Sequence, residues 1–270
     1  MTQTQRKVTL LAHTQLSSRF ASNQALGTNV YNLWLDDNIT DGQIVALSAI
    51  RTCYSPNKPS QIPLIEGKRY FTQKATDGGD GTEADRLIRM IQSSGHTSTL
   101  EHTSFTFTIE GVSRALLAQL TRHRIGFSFS VQSQRYVKFG SNDRSGGFYY
   151  IVPDTVSESE KQLGTINGDG VFGPISTAEY FEQCMTQIQA MYNNLRKLGI
   201  PAEDARAVLP NAASVNLVMT ANLTALIGLY SKRRKGNGAQ SEICDLVEDI
   251  RNAVVEVEPW TDALFEGAWH

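Results

Sequence analysis

Between residues 104 and 120 the apolar spacing switches from a period of two to a period of 3.6, and this switch limits the architecture more than any other stretch. In TSFTFTIEG, Phe105, Phe107 and Ile109 alternate with Thr106 and Thr108, the pattern of a strand with one buried face. The following VSRALLAQLTRHR places Val112, Ala115, Leu116 and Leu120 at helical spacing, so a helix with an apolar stripe comes straight after the strand. KVTLLAH (residues 7–13) and FYYIVP (148–153) predict two more strands. Helices are predicted over DGQIVALSAIRTCY, TEADRLIRMIQSSG, LTALIGLYSKRR and AQSEICDLVEDIRNAVVEV. Another is predicted from Ser176 on, with Phe181, Cys184, Ile188, Met191 and Leu195 spaced for burial. Thr82 with Asp85, Ser176 with Glu179, and Asn222 supply start signals, and Gly95 and Gly199 supply stops. Residues 55–81 hold three prolines and several glycines without a period, which predicts an irregular insertion or mobile loop. Strands and helices without a regular βαβ rhythm, and with no internal repeat, point to a single α+β domain over residues 1–270, a central sheet flanked by helices.

With 270 residues, 40% hydrophobic and 19% charged, a sizeable core is available. A net charge of -2 argues against a general nucleic-acid coat, and no apolar run approaches the roughly 20 residues of a bilayer span. Cys53, Cys184 and Cys244 lack CxxC spacing, and no signal peptide is expected from MTQTQRKVTLLAHTQ, whose apolar stretch is short and is followed by no small-residue cleavage site. Together these features predict a cytoplasmic protein with reduced thiols.

Chemistry is concentrated in QLTRHRIGFSFSVQSQRY, residues 119–136. Arg122, Arg124 and Arg135 bring guanidinium forks suited to phosphate oxygens; Gln119, His123, Ser133 and Gln134 bring neutral hydrogen-bonding groups that can read a base or flavin edge. Gln119, Arg122 and His123 are at i, i+3 and i+4, which would place them on one side of a continuing helix. On residues alone, a solvated cationic face and a phosphate-binding site both stay open. SKRRKGNG is similarly balanced, because its cations suit the negative end of a helix. His96, His102 and His123 invite a metal-hydrolase reading, but their spacing matches no usual zinc signature, and no metal site is expected. A nucleotide-sensing or RNA-binding module would use the same arginines without a cofactor and bind with steep salt dependence. Neither GxGxxG nor a P-loop is present, so any dinucleotide must be held by other means.

The run GHTSTLEHTSFTFTIEGVSRALLAQLTRHRIGFSFSVQSQRY resembles the signature region of the flavin-dependent thymidylate synthases, whose hallmark is Arg-His-Arg, a spacer, then Ser-x-Arg-Tyr. Two further family elements follow in order: Arg206, Val208, Leu209 and Pro210, then Ala239, Gln240, Glu242 and Ile243. The resemblance implies reductive methylation of dUMP to dTMP, with methylenetetrahydrofolate as one-carbon donor and NADPH as reductant through bound FAD. It also implies a homotetramer with shared active sites. Carried over by motif, Cys53, His96, Ser98, Arg122, His123, Arg124 and Asn222 are expected at FAD, and His96 also in catalysis. Gln119, Arg122, Ser133, Gln134, Arg135 and Arg206 are expected at dUMP. Ser133 is expected to bind rather than attack, and the uracil to be activated without an enzyme thiolate. An arginine facing the uracil is either Arg233 or Arg234, with counting back from Gln240 favouring Arg234. The chain also departs from the pattern. Eight residues separate Arg124 from Ser133, one more than is usual, which predicts a bulge in that loop. Val131 stands where the family often has an acidic or amide side chain, with Gln132 as a substitute, and Thr224 replaces a flavin-phosphate arginine.

Overall fold

The computed structural model describes residues 2–22, 39–166 and 172–267. Its strands are β1 (Thr2–Gln3), β2 (Lys7–His13), β3 (Ser104–Ser113), β4 (Phe127–Val131), β5 (Tyr149–Tyr150), β6 (Gln162–Ile166), β7 (Phe172–Ser176) and β8 (Ser214–Asn222). The α-helices are α1 (Ser18–Ala21), α2 (Asp41–Thr52), α3 (Ile62–Thr72), α4 (Glu83–Ser94), α5 (Arg114–Leu120) and α6 (Asp154–Ser157), then α7 (Thr177–Lys197), α8 (Ala202–Ala205), α9 (Leu223–Arg233), α10 (Ser241–Val257) and α11 (Asp262–Glu266).

Strands β2, β3, β8 and β4 form one antiparallel sheet in that order. The alternation in β3 has the expected effect: Phe105, Phe107 and Ile109 are fully buried, while Thr106 and Thr108 lie half-buried on the opposite face. There Thr106 and Thr220 hydroxyls meet across the β3–β8 pair at 2.9 Å. Onto the apolar face pack Ile44, Leu47 and Ile50 of α2, Leu87, Ile88 and Ile91 of α4, Leu116 and Leu120 of α5, Leu226 and Ile227 of α9, and Ile243, Leu246, Val247, Ile250 and Val254 of α10. Each such side chain removed from water contributes roughly 1.5–3 kcal/mol. A smaller core of Phe139, Phe148, Tyr150, Met185 and Tyr192 joins α7 to the segment after β4. The architecture is α+β.

Both central strands enter helices without a connecting loop. Ser113 ends β3 and caps α5, its Oγ accepting the Leu116 N–H at 3.0 Å; Asn222 ends β8 and caps α9, its Oδ1 accepting the Ala225 N–H at 2.8 Å. Just before Ser113 the β3–β8 register shifts between Ile109 and Val112. Gly111 lies in this bulge at φ +67°, and a Cβ there would stand 2.2 Å from the Gln5 carbonyl oxygen. Only glycine fits.

Three expectations need correction. Residues 62–72 of the predicted irregular insertion form α3, with Ile62, Tyr70 and Phe71 buried and Glu66 paired with Arg51 at 2.6 Å. Its proline lies in the first turn, where a missing N–H costs nothing, so the proline that read as a breaker is a start signal. In α7, Phe181, Cys184, Ile188 and Leu195 pack half-buried on the smaller core as expected, but Met191 is turned to solvent at 53% exposure and the most buried residues are Met185, Gln189 and Tyr192. The deciding contacts are polar ones that apolar spacing cannot see: Gln189 accepts the Phe148 N–H at 3.0 Å and donates to the Phe139 carbonyl at 2.8 Å. Helix α5 stops at Leu120, so Arg122 and His123 lie in a turn, not on a helix face shared with Gln119.

The carboxyl-terminal segment closes the start of α2. Glu258 is fully buried, and its carboxylate accepts the Gly42 N–H at 3.1 Å, the Thr40 hydroxyl and the Trp260 indole N–H. Burial pushes its pKa up, and these donors pull it partly back. Glu258→Ala should strand the buried Gly42 N–H and two half-buried donors, with a cost of at least about 1–3 kcal/mol, read as a lower urea midpoint with unchanged slope. An unshifted midpoint would contradict this role.

Candidate active site

Helix α5 begins with a cation, although the positive end of a helix disfavours one. Arg114 is that residue, and it lines a cleft of about 520 Å³ with Gln134, Glu203 and Arg206. Three separate elements meet there: the β3–α5 junction, the loop after β4, and the turn after α8. Gln134 is 5% exposed, so its amide is presented from a fixed position. Arg206 is oriented by its Nε, which donates to the Glu203 carbonyl at 2.9 Å. Arg135 forms a fork on the Glu203 carboxylate at 3.0 Å and stacks over Tyr136 at 5.7 Å. Both partners of that ion pair are about half exposed, so it holds weakly and an incoming anion can displace it. Ser133 shapes the loop: its Oγ accepts the Arg135 N–H at 3.2 Å and its carbonyl accepts the Val137 N–H at 3.0 Å. Two guanidinium groups and a buried amide around one cleft suit a phosphate monoester. Sequence reasoning missed Arg114 and Glu203. The signal for Arg114 was its place directly after a capping serine, where a cation needs another reason to be.

A second group forms where the ends of α5 and α9 approach. Arg233 Nε donates to His123 Nε2 at 3.2 Å, and the Gln119 amide reaches Gln240 at 2.7 Å. The His123 ring lies 6.2 Å from Phe127, which stacks on Phe129 at 5.7 Å. Burial first, then the charges of Arg233, Lys232 and Arg122, holds the imidazole pKa below its ordinary value, in keeping with a neutral ring that accepts from Arg233. Arg122 and Arg124 are exposed beside it. Arg234, favoured by counting, is elsewhere: it lines a different cleft with Arg6, Lys235 and Asp245. The arginine that joins the motif is Arg233.

The third group is a cleft of about 740 Å³ with Leu16, Phe20 and Val45 on its apolar wall and Cys53, His96 and Ser98 among its polar residues. Gly95, at φ +69°, ends α4 and turns the chain so that His96 is presented here. His96 Nδ1 lies 3.0 Å from the Tyr54 hydroxyl. His102 lines the same cleft, whereas His123 belongs with Arg233. Thr224, in place of the expected arginine, bonds the Thr97 carbonyl at 2.9 Å and so ties α9 to the His96 segment. Asn222 spends its Oδ1 on the helix cap, and its Nδ2 faces Gly126, where a Cβ would come within 2.9 Å. Gly126 has φ +77°, so the turn after Arg124 packs directly on the start of α9. From there Phe127–Val131 pair with Leu217–Ala221 without a register shift, which puts the extra loop residue outside β4. Val131 lies in that ladder, and Gln132 is held against Asn216, its backbone N–H donating to the carbonyl at 2.8 Å. Gln132 thus lines a cleft with Lys138 and Arg144, apart from the Arg114–Arg206 pair.

The model of the family described as thymidylate synthase complementing protein matches residues 35–260. The chain belongs to the flavin-dependent thymidylate synthase family. A relative of that name from Geobacter sulfurreducens is 43% identical over 178 residues, 66% of this chain and 68% of that protein. Another from Halobacterium salinarum is 36% identical over 203 residues, covering 72% and 80%. The fold matches the crystal structure of PolB, a UMP/dUMP methylase from Streptomyces cacaoi bound with 5-Br dUMP, with a TM-score of 0.65 and 22% identity over 98% of this chain and 96% of that one.

Within this flavin-dependent thymidylate synthase family member, His123 provides a pH test. Its folded pKa is lowered, so its contribution to stability is complete above the unfolded imidazole value of about 6.5 and is lost as the pH falls from there towards the folded value. An NMR titration should show the His123 resonance with a midpoint below 6.5. A midpoint at or above that value would contradict the neutral, Arg233-paired ring.

Proposed function

We propose that the protein converts dUMP to dTMP by reductive methylation, taking the one-carbon unit from methylenetetrahydrofolate and reducing equivalents from NADPH through bound FAD. The observation that carries this reading is the cleft where Arg114, Arg206 and the buried Gln134 converge, a site for one phosphate monoester. Arg135 is the third guanidinium in reach of that anion once it leaves Glu203. Gln119 and Arg122 complete the nucleotide side. Arg233 is the arginine proposed to face the uracil, on the strength of its bond to the motif histidine. Its permanent charge would stabilise negative charge developing on the ring, and this requires no enzyme thiolate. Cys244 suits no nucleophilic part, since burial pushes its thiol pKa up. Ser133 is occupied in shaping its loop and binds rather than attacks.

The residues fit FAD. The larger cleft combines an apolar wall with Cys53, His96 and Ser98, a surface suited to a flat heterocycle with a polar edge, and exposed Arg122 and Arg124 suit a pyrophosphate. FAD, when bound, supplies the two-electron chemistry that no side chain offers. His123 and Asn222 would hold the neighbouring segment in place, and His96, steadied by Tyr54, would border the reacting rings. Assembly as a homotetramer with shared sites belongs to the same proposal. Ile125, just after Arg-His-Arg and 93% exposed, and Tyr136, 80% exposed at the end of the motif, are the apolar side chains there that another copy could cover.

Tritium release from 5-labelled dUMP tests the reading directly. Release that requires FAD, methylenetetrahydrofolate and NADPH together supports it, and release without FAD would overturn it. Arg206→Ala should raise the dUMP dissociation constant by roughly ten- to a hundredfold, the worth of a charge-assisted hydrogen bond, and leave FAD uptake near normal. Ser133→Ala should still release tritium, more slowly. Complete loss with normal nucleotide binding would make Ser133 a reacting group.

A further inference from the structure

The first turn of α10 grips α5 at both ends. Glu242 accepts the Ser113 N–H at 2.7 Å and the Ser113 hydroxyl at 2.6 Å, while the same Oγ caps the Leu116 N–H. At the far end Gln240 Oε1 accepts from Gln119 Nε2 at 2.7 Å. A side-chain amide has a donor end and an acceptor end, and neighbours decide which faces outward. Here the Ala115 carbonyl, 3.4 Å from Gln119 Nε2, can only accept, so the donor end of Gln119 is held inward between two acceptors. Its Oε1 has no donor among the described residues.

We infer that Gln240, as the second acceptor beside the Ala115 carbonyl on Gln119 Nε2, is a positioning residue that holds the polarity of the Gln119 amide, so that Gln119 offers an acceptor to the bound nucleotide. This rests on the dUMP reading above and adds the partner's chemistry: the group taken at Gln119 must be a hydrogen-bond donor. Outside its phosphate dUMP has two, the N3–H of the uracil base and the 3′-hydroxyl of the sugar. If the base is the donor, the same device rejects cytosine, whose N3 carries a lone pair where uracil carries hydrogen.

Two substitutions separate polarity from packing. Gln240→Glu keeps an acceptor towards Gln119, whereas Gln240→Lys offers only donors and should turn Gln119 Oε1 inward. Their charges oppose the expected result, since a carboxylate repels the phosphate and an ammonium attracts it. Calorimetric titration of the full-length, FAD-loaded protein with dUMP, dCMP and 2′,3′-dideoxyuridine monophosphate reads the outcome. Gln240→Glu should stay within about threefold of the parent for dUMP, and Gln240→Lys should bind about tenfold more weakly, one hydrogen bond's worth. If the base is the donor, Gln240→Lys narrows the preference for dUMP over dCMP and weakens the dideoxy analogue equally. If the sugar is the donor, the dideoxy analogue binds the parent weakly and loses nothing further in Gln240→Lys. Equal dUMP affinity in the two variants would overturn the inference. A parent protein that binds no dUMP would overturn the underlying reading as well.

Discussion

The pairing of β3 with β8 is the constraint on which the other parts depend. Its two ends, Ser104 opposite Asn222 and Ser113 opposite Ser214, place a helix cap at each extremity of one ladder. Because the strands run directly into α5 and α9, the register that buries Phe105, Phe107 and Ile109 also sets where Arg114, Gln119 and Arg233 stand. A slip of one residue would exchange the buried and exposed faces, so the core enforces the position of the site. The bulge at Gly111 adds one residue to β3 between Ile109 and Val112, and the positive φ and the nearby Gln5 carbonyl leave room there for glycine alone.

On this frame the charges are held in different ways, and the differences fit separate tasks. Arg206 is fixed by a backbone carbonyl and Gln134 by burial, so both are ready before a ligand arrives. Arg135 is parked on an exposed carboxylate, which keeps it near the cleft at little energetic cost to its release. Arg233 spends one donor on a neutral imidazole and retains its full charge. Arg114 and Arg206 share their cleft with the acids Glu203 and Asp204, whereas the charges acting on His123, those of Arg122, Lys232 and Arg233, are all positive.

Much of this was legible in the residues. Strict alternation gave β3, and capping serines, asparagine and glycines gave helix boundaries, because those signals are local and each has one strong physical meaning. The motif resemblance named the family that the comparison then showed. What stayed hidden depends on contacts between distant segments. Arg114 looked like any helix-start residue until the loop after β4 and the turn after α8 were seen beside it. Counting could not choose between Arg233 and Arg234, because at the end of α9 Arg233 bonds His123 while its neighbour Arg234 lines a cleft with Arg6 and Lys235. The prolines of residues 55–81 punctuate, but a proline in the first turn opens a helix and one inside it breaks it, and composition alone does not tell the two apart.

The central claim is that Arg114, carried at the start of a helix by the β3–β8 ladder, helps build one phosphate pocket with Arg206 and Gln134. Phosphorus NMR of dUMP titrated with the protein tests it most directly. The phosphate resonance should shift and broaden with the parent chain and stay close to the free position with Arg114→Ala at the same concentrations. An identical shift in both would show that the phosphate lies elsewhere and that Arg114 has no part in holding it.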